Sequence, residues 1–127
     1  MLTGVPTLDT EHQDLVAAIN RLEQAEETGD LQEVIVHLKS FRDDLALHFA
    51  SEERYLRMVR FPASDEHALH HAETLSAIDQ LLGQVASSSV VSGTVAEECY
   101  HNFLTILLTR DMSFINWLHD HAKRVLK

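Results

Sequence analysis

Apolar residues recur along this chain at intervals of three and four, and no segment alternates at period two over a useful length. The pattern predicts helices and no sheet. Leu15, Ile19 and Leu22 form the buried stripe of a first helix from about Thr10 to Glu27, with Asp9 or Thr10 capping its start and Gly29 at its left-handed end. Asp30 and Glu33 have the spacing of a capping box and open a second helix reaching about Met58. One face of that helix carries Leu31, Val34, Leu38, Phe41, Leu45, His48 and Glu52. Pro62 stops it, and Ser64 is expected to cap a third helix from about Asp65 to Val85. The small residues from Ser87 to Gly93 connect to a fourth, opened by Thr94 and Glu97 and running to about Val125. Its apolar face holds Leu104, Leu107, Phe114, Trp117, Leu118 and His121. Short connections between long helices favour antiparallel neighbours, so the expected architecture is all-α, an up-down-up-down four-helix bundle.

Composition changes this picture little. The 127 residues suit one domain spanning 1–127, and 45% hydrophobic with 24% charged residues is ordinary for a globular protein. A formal net charge of −10 argues against nucleic-acid binding, which requires a basic patch. No apolar run approaches the length of a membrane span, and the N-terminal residues lack the basic and apolar regions of a secretory signal. With Cys99 as the single cysteine, no intrachain disulfide forms, and a reducing, cytoplasmic setting is expected.

Histidine is the informative residue. There are nine, against ten lysines and arginines together. His48 and Glu52 stand four apart on the second helix, and His67 and His71 four apart on the third, so each pair shares a helical face. His12 begins the first helix and His121 ends the fourth. In an antiparallel bundle all six fall at the same end. Either pair alone reads as readily as an ion pair or a solvated surface pair. Together, five imidazoles and one carboxylate exceed the needs of one metal ion and suit two, with iron, manganese or zinc compatible with such donors. His37, His70, His101 and His119 read as solvated histidines, the acidic runs at Glu26-Glu27 and Glu97-Glu98 as solvated helix ends, and Glu53 as a solvated neighbour.

Four segments then carry a specific resemblance. Leu8-Asp9-Thr10-Glu11-His12-Gln13-Asp14-Leu15 resembles the opening motif of the bacterial hemerythrins, and His48-Phe49-Ala50-Ser51-Glu52-Glu53 resembles their H-F-x-x-E-E. Phe61-Pro62 followed by His67 and His71, and Trp117-Leu118-His119-Asp120-His121, are similar to their remaining histidine motifs, in the same order. The resemblance implies a hemerythrin-like bundle with two non-heme iron ions, oxo- or hydroxo-bridged. It implies His67, His71 and His121 on one iron, His12 and His48 on the other, and Glu52 bridging them. It also implies reversible binding of dioxygen, or of another small diatomic or peroxide ligand, for storage, delivery or sensing. Phe49, Phe114, Trp117 and Leu118 are candidates for the dry wall of that pocket.

One position departs from the family pattern. Its second bridging carboxylate is an aspartate five residues after the last histidine, and here that position is Leu126. Losing a bridge removes one negative charge and opens an edge of the site. The alternative expectation is therefore a di-iron enzyme acting on peroxide, nitric oxide or ferrous iron.

Overall fold

The computed structural model describes residues 6–87 and 94–106, together with positions 114, 116, 117 and 120. Among the described residues, four helices follow one another: α1 (Pro6–Thr28), α2 (Leu31–Met58), α3 (Ser64–Ala86) and α4 (Val95–Ile106). Phe114, Asn116, Trp117 and Asp120 are also helical, and the rest of the expected fourth helix lies outside the described residues. No strand occurs among the described residues. The helices close a ring in which α1 packs on α2 and α4, α2 on α3, and α3 on α4. Only Gly29 and Asp30 separate α1 from α2, and residues 59–63 separate α2 from α3, so neighbouring helices reverse direction.

The core follows the predicted stripes. Leu15, Ile19 and Leu22 of α1 meet Val34, Leu38, Phe41 and Leu45 of α2, with Ile78 of α3 and Val95, Ala96 and Cys99 of α4. Burial, then the charges of Glu98 and Glu26, push the Cys99 thiol up to about 12, which keeps it protonated and unreactive. A second, smaller cluster of Leu56, Phe61 and Phe114 lies below, flanked by Tyr55 and Trp117. The metal-ligand candidates fall between these two apolar bodies.

Several helix ends differ from their expected chemistry. Asp9 and Thr10 already lie within α1 (Pro6–Thr28), so neither stands at its cap. Asp30 does cap α2, accepting from the backbone N–H groups of Gln32 and Glu33. The reciprocal arm of the capping box is absent: the Asp30 N–H donates to Thr28 Oγ1, and Glu33 pairs with His37 one turn on. Ser64 does not cap α3 either. It is already helical, with Ala63 at the cap position, and its hydroxyl donates back to the Phe61 carbonyl at 2.6 Å.

Two devices were not legible as such. The Glu26 carboxylate, expected in solvent, accepts the backbone N–H groups of Val95 and Ala96. One helix thereby satisfies the free donors at the start of another, where the helix dipole favours negative charge. The end of α2 is set by Arg60 at φ 60°, two residues before Pro62. The Phe61 N–H reaches the Leu56 carbonyl at 2.9 Å and the Arg60 N–H reaches Arg57 at 3.1 Å, a Schellman motif in which Phe61 and Leu56 share the lower apolar cluster. A left-handed conformation strains any residue with a Cβ. Arg60→Gly is therefore expected to raise stability by about 0.5–1 kcal/mol, the relieved strain exceeding glycine's added freedom in the unfolded chain. Thermal unfolding checks this, and an unchanged or lowered midpoint contradicts it.

Candidate metal centre

The bundle brings His12 from α1, His48 and Glu52 from α2, and His67 and His71 from α3 into one buried cluster. Each arrives from a different height in the sequence but the same end of the bundle, because α1 and α3 begin where α2 finishes. All five are at least 96% buried, with Glu52 only 1% exposed. Such burial of a carboxylate among imidazoles is costly unless each polar atom finds a partner.

The two oxygens of Glu52 face different histidines. Oε2 lies 3.3 Å from His48 Nε2, and His12 Nε2 lies 3.1 Å from that same nitrogen. Oε1 takes a hydrogen bond from His67 Nε2 and lies 3.6 Å from His71 Nε2. The donors form two triads, His12–His48–Glu52 and Glu52–His67–His71, and within each triad the donor atoms lie within 4.8 Å of one another. Glu52 is the shared member. Burial pushes its carboxyl up, but the hydrogen bond from His67 and the imidazoles of His48 and His71 close beside it outweigh burial and hold it well below the usual carboxylate range.

The outer nitrogens of two imidazoles are committed elsewhere. His48 Nδ1 donates to Glu11 Oε1 at 3.0 Å, and Ser51 Oγ holds the other oxygen of Glu11 at 3.0 Å. His71 Nδ1 donates to Glu53 Oε2 at 3.3 Å. A neutral imidazole has one N–H, so these bonds leave Nε2 as a bare lone pair aimed inward. His71 Nε2 is buried with no hydrogen-bond partner. An orphaned lone pair facing other lone pairs and a carboxylate is unfavourable alone and is what a cation would resolve, so the donor set fits a metal.

Glu11 and Glu53 were missed as site residues. Each stands beside a candidate ligand in sequence, but which neighbour turns inward depends on helix rotation. Because such carboxylates fix tautomer and ring orientation, Glu11→Gln and Glu53→Gln are each expected to weaken metal affinity roughly 10–100-fold, Glu11→Gln more, as its bond is shorter. Chelator-competition titration measures this. Unchanged affinity in both variants would show these carboxylates to be surface pairs only.

Of the expected pocket residues, Phe49 stacks face to face on His71, with ring centroids 3.8 Å apart and planes 5° from parallel, and it also meets His48. Phe114 is buried, but against Tyr55 and Phe61. Trp117 packs on Phe61, whose own edge meets His67. These two stand one ring removed from the histidines through Phe61, which sequence reasoning did not assign to the site. His121, Leu118 and Leu126 lie outside the described residues. His37 pairs with Glu33, His70 pairs with Glu66 and Glu73, and His101 is exposed, as solvated histidines are.

A groove of about 310 Å³ between α1 and α2, walled by Glu11, Asp14, Arg21, Asp44 and Leu47, reaches His48 from solvent. None of the described helices is long and apolar enough to cross a membrane.

Buried imidazoles gathered around one carboxylate between packed helices define a cation-binding helical bundle. The chain belongs to the hemerythrin family: the family model of the hemerythrin HHE cation-binding domain matches residues 3–125. No curated protein matches it.

Proposed function

We propose that this chain is a cytoplasmic non-heme di-iron protein that binds dioxygen reversibly, for storage, delivery or sensing. The observation that carries this reading is the buried Glu52 carboxylate, whose two oxygens are divided between two histidine groups. His12 and His48 would hold one iron, His67, His71 and His121 the other, with Glu52 joining them. Bound iron would supply electrons to dioxygen on binding and recover them on release.

The protein's own groups have three tasks. Neutral imidazoles donate lone pairs without adding negative charge, so the pair of cations keeps its attraction for a small ligand. Glu11 and Glu53 hold the Nδ1 protons of His48 and His71, keeping each Nε2 directed inward. Phe49 covers the face of His71 and excludes water from that side, which limits proton delivery to the bound ligand.

A second reading rests on Leu126, which stands where the family places its second bridging aspartate. A site with one fewer carboxylate has an additional open edge and suits an enzyme that consumes peroxide or nitric oxide, or oxidises ferrous iron. Metal content per chain, with the visible spectrum of reduced protein before and after oxygen, separates the two. Two irons and a charge-transfer band that reverses under vacuum support the carrier or sensor. Irreversible bleaching with turnover of peroxide or nitric oxide supports the enzyme, and one iron or none overturns the di-iron assignment.

A further inference from the structure

The outer face of α2 carries three large apolar side chains in solvent: Val36, Leu47 and Met58, exposed by 57%, 68% and 71%. They are evenly spaced, eleven residues apart, and eleven residues bring a helix to within about 20° of three full turns. All three therefore lie on one line, opposite the core face of Val34, Leu38, Phe41, Leu45, Glu52 and Leu56. The stripe runs about 33 Å along the bundle, since 22 residues rise 1.5 Å each. Between its apolar members lie exposed Ser40, Asp43, Ala50 and Arg54, small or oppositely charged.

The spacing is symmetric about Leu47, so a two-fold axis through Leu47 with the helices antiparallel sets apolar residue against apolar residue along the whole stripe. We propose that α2 is a homodimer interface in which two copies pack their outer α2 faces antiparallel, with Leu47 on the axis. In that register Leu47 meets its counterpart and Val36 of each copy meets Met58 of the other. Asp43 falls one turn from the Arg54 of the second copy, on both sides of the axis. Asp43 has only a long pairing with Arg42 to exchange, at 3.7 Å. A parallel pairing would instead set Asp43 against Asp43 and Arg54 against Arg54. The charge pattern thus selects the antiparallel arrangement as well as the second copy.

Three large side chains per copy make a patch below the standard interface size, and a net charge of −10 on each copy opposes association. The dimer is accordingly a weak one, populated at high protein concentration.

Sedimentation velocity of the full chain from about 10 µM to about 1 mM is expected to show a monomer–dimer equilibrium. Leu47→Glu, at an exposed position, should leave folding intact and weaken dimerisation at least roughly tenfold by setting two carboxylates on the axis. Asp43→Arg should weaken it, and the double variant Asp43→Arg with Arg54→Asp should restore it. Leu47→Cys should form a disulfide-linked dimer under mild oxidation. Ser40→Cys should not, because its two copies stand about 21 Å apart along the axis. Buried Cys99 does not compete. A chain that stays monomeric throughout, a dimer indifferent to Leu47→Glu, or equal cross-linking at both positions overturns the proposal.

Discussion

If the centre holds two ions as proposed, replacing Glu52 by alanine is expected to reduce metal loading to at most one per chain. Its carboxylate belongs to both donor triads, and no other described carboxylate lies within 4.8 Å of either set of inward imidazole nitrogens. Among the described donors, removing it leaves each half with imidazoles alone and takes away the carboxylate that would screen two bound cations from each other. The resulting cavity and the loss of the hydrogen bond from His67 also disturb the bundle, so Glu52→Gln is the sharper variant. Glutamine keeps the volume, but its amide nitrogen donates where a second ligand oxygen is needed. The expected Glu52→Gln protein is as helical as the parent and holds at most one metal by elemental analysis. A folded Glu52→Gln protein that still carries two metals would remove Glu52 from the role of bridge.

The second large effect belongs to Phe49. Phe41 and Phe49 are both essentially fully buried on the core face of α2, so truncating either to alanine should cost about 3–5 kcal/mol in lost burial and residual cavity. That is a large share of a typical domain's stability and should lower the unfolding midpoint by roughly 10–20 °C. The two variants should separate in metal retention. Phe49 lies flat on His71, and without it the imidazole has freedom to rotate and water reaches one face of the site. Phe41 stands two turns earlier, among Leu38 and Leu45 of the main core. Phe49→Ala is therefore expected to lose metal to a chelator at least roughly tenfold faster than Phe41→Ala, compared where both remain folded. Equal release rates would mean that the stacked ring contributes packing and nothing particular to the site.

The sequence went far on the fold and on which polar residues converge, because both rest on periodicity. Helical stripes in α1 and α2 mark the buried face directly, and the core contains the residues those stripes name. The i, i+4 pairs His48–Glu52 and His67–His71 are visible for the same reason. Their convergence with His12 needs only the alternation of helix direction. Helix caps are less legible. Ser64 has the right residue type for a cap, but the turn before α3 carries its hydroxyl to the Phe61 carbonyl instead. The end of α2 near Met58 is legible in the sequence, but the residue that closes it is Arg60 in the left-handed region rather than Pro62.

By itself, then, the sequence determined the all-helical bundle and the level at which five buried polar residues meet, since local periodicity and chain reversal suffice for both. Only the tertiary structure decided which atoms face each other. That Glu52 divides its oxygens between two histidine groups depends on the rotation and height of three helices at once. That Glu11 and Glu53 reach His48 and His71, and that Glu26 caps α4 from α1, depends on contacts between residues 18 to 70 positions apart. A carboxylate has the same sequence signature in solvent as against an imidazole, and packing alone tells the two apart.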